Sequence, residues 1–526
     1  MKITLQKIIL AFIFSTVSIL SYSQGVDVTW GKVARLEKKG TDFNILGETQ
    51  GGIFVIKQDK KKKKYIERYD LESLEHDFTR EIEFSKKKGS ESKKDRIELE
   101  SIFLLSDAII VFGTSYDKKQ KQFNLLARKY GLDGKPETKW DKIETIQGKR
   151  RGSKGDFTIK ASEDKKHFLI EQSNPVKDKE PFSFNFSIYD GDLNKVYEKE
   201  NVKFRLLEDE ASLSSHKIKD NNVYFIGNTT TGCTLYSFSF GSPEADSAKM
   251  RDYEITISKD VRIHNAAFSF DEEGNILVAG FYEDKDEESR RADDLAGTYF
   301  IKLNPKSFVP VIKTSNPFEK EFLTNFASER QIRKGKTGIP LSFAMRHFFM
   351  HKDGGVSLLA ENSFEVEHCS QSSGVGVAPG ITLSTQSCYY TYHKNEVIIM
   401  RINPDGSVKY SQVIKKAGNS RNPYDNAISY TIIPTEENMY IFYNDHYKSY
   451  RPGDTKVRNL PGYKKRVLAM ATINANGEMV KEVMIRHKDI KLEILPRNAI
   501  RTKNGLIMLG YYKKTVKLGR FNVGNN

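Results

Sequence analysis

Three cysteines, two tryptophans and 15 prolines in 526 residues set the first limits on this chain. So few thiols exclude a disulfide-dense scaffold, and so little proline excludes an extended proline-rich chain. Past residue 23, no apolar run approaches the roughly 18 residues that would cross a bilayer as a helix. Catalytic signatures are missing too: there is no H-E-x-x-H, no G-x-S-x-G and no P-loop. Gly374-Val375-Gly376 lacks the strand-to-helix setting that a phosphate loop needs. No S-x-D-x-G-x-T-W box of the sialidase type is present. Paired carboxylates for glycoside hydrolysis are recognised only by their separation in space, so none are nominated.

The chain is instead rich in aromatics, with 25 Tyr and 32 Phe, at a hydrophobic content of 38% and a mean hydropathy of -0.55. That balance describes a soluble β protein. Asp353 to Asn362 shows the unit it is built from: a tight Asp-Gly turn, then a short apolar run bounded by polar residues. Seven more runs begin at Ile53, Ile109, Phe168, Val223, Ile276, Met439 and Leu506, each after a turn. They lie roughly 50 to 85 residues apart, at or somewhat beyond the period of propeller blades. Leu506-Ile507-Met508-Leu509 and Ile109-Ile110-Val111-Phe112 do not alternate apolar with polar, as strands of an outer-membrane barrel must. The fold expected is therefore all-β, a single β-propeller over 24–526 with eight blades, seven being the alternative. Val26 to Leu36 reads as a strand without a nearby partner, and Ile494 to Val523 gives only three strands. Pairing the N-terminal strand with this C-terminal blade would close the ring.

Residues 1–23 read as a signal peptide: Lys2 and Lys7 precede an apolar stretch from Ile8 to Leu20, and Ser21-Tyr22-Ser23 offers a cleavage site before Gln24. The mature chain is expected to be exported, either periplasmic or extracellular or peripheral to the outer membrane. It has no Cys at the cleavage site to carry a lipid.

Two insertions break the blade rhythm. Over about 316–335, Asn316-Pro317-Phe318-Glu319 starts a helix whose stripe is Phe318, Phe322, Leu323 and Phe326, with Gly335 ending it. The second, about 368–390, is rich in Ser and Gly and carries Cys369 and Cys388. In an exported chain this pair is expected to form a disulfide, leaving Cys233 as a buried thiol. His368, Cys369, Cys388 and His393 offer a zinc alternative, but the adjacent His-Cys pair fits tetrahedral coordination poorly, so no metal or cofactor is assigned. His347 and His351 would lie about 13 Å apart on one face of a strand, too far to share an ion. The acidic run Glu283 to Glu288, with Asp293 and Asp294, lacks the ligand spacing of a calcium loop and reads as a solvated hairpin tip.

Charge is the remaining lead. The formal balance is +15, and loss of Lys2 and Lys7 leaves +13. Basic clusters fall at Lys60 to Lys64, at Lys86 to Lys88 with Lys93 and Lys94, and at Lys149-Arg150-Arg151 with Lys154. A basic sector there would suit an anionic glycan, lipopolysaccharide or an acidic envelope protein. Export and the lack of a reader motif argue against nucleic acid.

Arg346 to Asn362, Asn395 to Lys415 with Asn403-Pro404-Asp405-Gly406, Asn422 to Tyr430, and Asn444-Asp445-His446 resemble secreted β-propeller-like proteins of unknown function from Gram-negative bacteria. The resemblance covers mainly the C-terminal half, and the Cys-bearing insertion departs from it. It implies a fold and an exported location, and carries no catalytic residues. The function expected is that of a non-enzymatic, monomeric binding or scaffold propeller of the envelope. The alternatives are a glycan-active hydrolase or lyase with a site in the central funnel, built by first strands such as Phe343 to Met350 and Ile263 to Phe270, or a structural subunit of a surface assembly.

Overall fold

The computed structural model describes residues 25–35, 42–84, 97–147, 155–173, 183–203, 212–228, 232–240, 250–284, 294–333, 339–375, 382–422, 425–503 and 505–524. Among them the strands form eight antiparallel sheets, each a meander of at least four strands. This is the blade of a β-propeller, and the fold class is that of an eight-bladed propeller. In chain order the second strands are Gly52–Gln58, Ala108–Asp117, His167–Ser173, Asn222–Asn228, Ile276–Asp284, Val356–Val375, Asn438–His446 and Gly505–Tyr512. These are the eight apolar runs of the sequence.

The described residues divide into two compact units, one within 1–79, 366–393 and 416–526, the other within 80–365 and 394–415. In the first unit the second strand of sheet eight explains why such runs do not alternate. Leu506 and Met508 pack with Phe442 and Met470 of sheet seven, while Ile507 and Leu509 pack with Ile53 and Val55 of sheet one. In the second unit Phe168 and Ile170 turn toward Ile110 and Phe112 of sheet two, and Leu169 turns toward Val223 and Phe225 of sheet four. Both faces are dry, so both must be apolar; each fully buried Leu, Ile or Phe contributes about 1.5 to 3 kcal/mol before chain entropy is subtracted.

Sheet eight takes its fourth strand from the start of the described chain. Val26–Trp30 pairs antiparallel with Thr515–Val523, Val26 opposite Val523 and Trp30 opposite Gly519. A Cβ at Gly519 would come within 2.8 Å of the Trp30 ring, so glycine there makes room for the indole. The N-terminal segment read as one strand is two, Val26–Trp30 and Ala34–Arg35, both paired with Thr515–Val523.

Sheets five and six repeat one turn lock. Arg401, on the third strand of sheet six, grips the Asp353 carboxylate with two bonds of 2.7 and 2.6 Å, and Lys302 holds Asp271 of sheet five at 2.9 Å. Each ties the turn before the second strand to the third.

The insertion after sheet five differs from the single helix expected. It forms two short helices, α1 (Lys320–Leu323) and α2 (Glu329–Arg333). Asn316 and Pro317 do not cap a helix, because they pair with Thr298 and Gly297 as the end of the fourth strand. α1 stops where the Thr324 hydroxyl donates to the Glu321 carbonyl at 2.6 Å and Asn325 Nδ2 donates to the Phe322 carbonyl at 3.0 Å. Such side chains compete with the helical ladder. The aromatic stripe still packs inward, Phe318 on Phe322, Phe322 on Phe326 and Phe326 on Phe343. Gly335 lies outside the described residues, as does the N-terminal segment 1–24.

Candidate functional site

The second and third strands of sheet seven, Asn438–His446 and Arg466–Asn474, are joined by the long connection 447–465. It opens with a 3-10 turn, Tyr447–Tyr450, capped by His446, whose Nδ1 accepts from the Lys448 backbone N–H at 3.0 Å. The His446 ring stacks on Tyr447, with centroids 5.0 Å apart, and the Arg451 guanidinium lies over the same tyrosine. Asp454 holds Arg458 through two bonds of 2.9 and 2.8 Å. The Leu460 N–H bonds to the Ala417 carbonyl, and a second 3-10 turn, Tyr463–Lys465, returns the chain to the sheet.

This path brings two basic runs of the sequence together. Val467 lies opposite Arg486 in the ladder, so Lys464-Lys465-Arg466 and Arg486-His487-Lys488 converge at one end of sheet seven. Between them is a pocket of about 240 Å³ lined by Tyr447, Lys464, Lys465, Arg466, Val467, Arg486 and Lys488. Five of the seven are cations, and no carboxylate lines it.

Arg466 forms the floor. Its Nε and Nη2 donate to the Pro461 carbonyl at 3.1 and 2.9 Å, and its Nη1 pairs with the Glu493 carboxylate. Burial pulls its guanidinium down to about 10, with Asp425 opposing, so it stays charged near neutrality. His487 is fully buried, and neither ring nitrogen has a hydrogen-bond partner. Burial, and then the Arg466 charge, push it down to about 3, so the imidazole is neutral at neutral pH. At the base of the connection Asp445 accepts from the His446 N–H at 2.6 Å, and burial raises its carboxyl to about 6. The pocket thus gathers the positive charge of Lys464, Lys465, Arg486 and Lys488 above an Arg466 that is itself paired with Glu493.

The residues singled out in the sequence lie elsewhere. Lys60 to Lys63 lie in the tight turn between the second and third strands of sheet one, where Asp59 Oδ1 accepts from the Lys63 N–H at 2.9 Å, and Lys64 opens the third strand. Lys60 to Lys63 are exposed and line no described pocket. The clusters at 86–94 and 149–154 lie outside the described residues, as do 285–293 of the acidic run. Glu283 is not part of a solvated tip: it is buried, accepts from His264 Nδ1 at 2.7 Å and from Arg262 Nε at 3.0 Å, and both partners come from the first strand or its edge. The strand breaks at His264, and a Cβ at Gly280 would collide with the Asn265 carbonyl oxygen.

Cys369 and Cys388 are bonded to each other. They cross-link the hairpin arm made by Val356–Val375 and Thr382–Ile402. Among the described residues, the one grouping of metal-ligating side chains, Glu367 with those two cysteines, therefore has both sulfurs committed to the disulfide. His368 and His393 each reach the Thr391 hydroxyl. His347 lies on the first strand of sheet six after a bulge, whereas His351 falls beyond the strand and meets the Ser357 hydroxyl at 2.8 Å. Cys233 is buried, and burial raises its thiol to about 12. Among the described residues no helix is long and apolar enough to cross a membrane.

Neither a protein-family model nor a curated protein sequence matches the chain. Solved structures resemble it in fold at low identity. The WD40 domain of SCAP from fission yeast is 7% identical, with a TM-score of 0.40, over 94% of this chain and 98% of that one. A polysaccharide lyase of family PL25, an ulvanlyase bound to -[GlcA(1-4)Rha3S]-, is 11% identical, with a TM-score of 0.36, over 87% and 96%. The β-propeller domain of the Trilobed protease from Pyrococcus furiosus is 9% identical, with a TM-score of 0.32, over 81% and 93%.

Proposed function

We propose that this chain is an exported, non-enzymatic binding propeller of the cell envelope that holds the anionic group of its ligand in the pocket of sheet seven. One observation carries the reading: five cations from two separate sequence runs surround a single cavity of about 240 Å³. Solvated surface lysines spread apart to reduce repulsion, whereas these are gathered by the ladder and by a folded connection. Export is supported by the signal-like segment 1–23 and by the Cys369–Cys388 disulfide, which persists in an oxidising compartment. Mass analysis of the mature protein is expected to begin at Gln24.

The test is thermal unfolding in rising sulfate or phosphate at constant ionic strength. Ligand that binds only the folded state raises Tm by mass action. Lys464→Ala with Lys488→Ala should weaken the apparent affinity about tenfold or more, and Lys60→Ala with Lys61→Ala should not. Equal shifts in all three proteins would mean a general salt effect and no pocket.

A second reading, a glycan-active hydrolase or lyase, is favoured by the Glu283–His264 pair. A buried carboxylate on Nδ1 fixes the ring and leaves Nε2 as a base, with Arg262 beside it. On this reading His264→Ala abolishes cleavage of an acidic polysaccharide that the unaltered protein degrades; no cleavage by the unaltered protein rules it out.

A further inference from the structure

On the reading that the pocket of sheet seven takes an anion, we infer that its ligand is an acidic polysaccharide whose adjoining sugar ring stacks on a ledge made by Tyr463 and Tyr512. Tyr463 directly precedes Lys464 in the 3-10 turn that forms one pocket wall, so the ring and the ammonium are one residue apart. Its ring lies against Tyr512, with centroids 4.1 Å apart and planes inclined by 34°. Tyr512 ends the second strand of sheet eight, and the next residue, Lys513, turns back with a left-handed φ of 57° to place its Nζ over the Tyr512 ring at 5.2 Å. The two tyrosines are half-exposed.

The ledge is therefore aromatic, carries Lys513 over the Tyr512 ring, and joins the cationic pocket along the chain at the Tyr463–Lys464 peptide. A pyranose presents an apolar C–H face that packs on an aromatic ring and a rim of hydroxyls that bond to polar neighbours. A sulfate or carboxylate on the same sugar or the next would fall at Lys464 and its fellow cations. The chemistry disfavours a lipid surface, because the aliphatic residue lining the pocket, Val467, is buried and the ledge ends in hydroxyls. Stacking beside lysines also suits a nucleobase, so an oligonucleotide is the competing occupant.

The test is calorimetric titration of the full mature chain with four probes: inorganic sulfate, a defined sulfated tetrasaccharide, its desulfated counterpart and a single-stranded oligonucleotide. The tetrasaccharide should bind at least tenfold more tightly than sulfate, and the desulfated form should bind weakly or not at all. Tyr463→Ala should weaken the tetrasaccharide about tenfold and leave sulfate unchanged, while Tyr463→Phe keeps the affinity and reports a folded ledge. A tetrasaccharide no tighter than sulfate, or one indifferent to Tyr463→Ala, overturns the glycan assignment and leaves the anion pocket standing. An oligonucleotide that outcompetes the tetrasaccharide overturns it as well. Failure of both sulfate and tetrasaccharide to bind removes the pocket reading itself.

Discussion

His487 and Asp445 sit at the same end of sheet seven and titrate with opposite consequences. The folded imidazole is held near 3, below its ordinary value of 6.5, so between those values the unfolded chain binds more protons. Stability from His487 is complete above about pH 6.5 and is lost as pH falls toward 3. His351, brought to about 4 by burial and then by Arg401, acts in the same direction. Asp445 is raised from 3.8 to about 6, so the folded chain holds the extra proton within that window and loses stability as pH rises through it. Ionised Asp445 lies among Tyr443, Tyr450 and Ser449, and the charges of Lys481 and Arg458 offset its burial only in part. Asp445→Asn should therefore stabilise the protein by about 2 kcal/mol at pH 7 and by little at pH 4. His487→Phe should flatten the acid side of the stability profile. Urea unfolding across pH 4 to 8 measures both; parallel profiles for Asp445→Asn and the unaltered chain would show that the carboxyl is ionised freely.

Individual strands carry most of what was legible in advance. Leu358 is fully buried in the cluster that also holds Ile398 and Phe343, so Leu358→Asp should abolish folding, at a cost above about 4 kcal/mol, seen as loss of the cooperative transition in circular dichroism. An unchanged Tm would remove the buried-strand assignment. The apolar runs betrayed the blades because burial on both faces forces unbroken hydrophobicity, and the Asp353 and Asp405 turns marked their ends. The insertion after sheet five was misread because Asn316 and Pro317 look like a helix start while the ladder with Gly297 and Thr298 claims them. Nothing local distinguished Lys464-Lys465-Arg466 from the solvated turn at Lys60 to Lys64. Their difference arises only when the register sets Val467 against Arg486. Glu283 was missed in the same way, since its partners Arg262 and His264 lie on the first strand and just past its end. The disulfide arm gives a further expectation. Closing a loop of this length is worth about 3 kcal/mol in the chain-entropy model, but here the link ties two strands of an arm. Cys369→Ser with Cys388→Ser should speed chymotrypsin cleavage at exposed Tyr389 or Tyr390 and leave the main unfolding transition nearly unmoved. Equal cleavage rates would show that the arm holds its register without the bond.

At the scale of the whole chain, the first described strand and the last belong to one sheet. The unit that contains sheets one, seven and eight is thus completed only when Val26–Trp30 docks on Thr515–Val523. Trp30 anchors the join: its indole meets Phe521 edge-on at 6.0 Å and covers Gly519 and Gly510. Without that strand, Thr515–Val523 becomes an open edge, a template for pairing with another chain. Removing residues 24–35 should therefore lower Tm, promote association at high protein concentration and speed hydrogen exchange first in sheet eight, then in its packing partners, sheets seven and one. Sheets two to five and the part of sheet six outside 366–393, which form the other unit, should keep their protection. Trp30→Ala should reproduce a milder form of the same pattern, at a cost of about 3 kcal/mol. Hydrogen exchange read by mass spectrometry decides the matter, because loss spread evenly over all eight sheets would mean that the terminal strand stabilises the molecule as a whole and not the unit it completes.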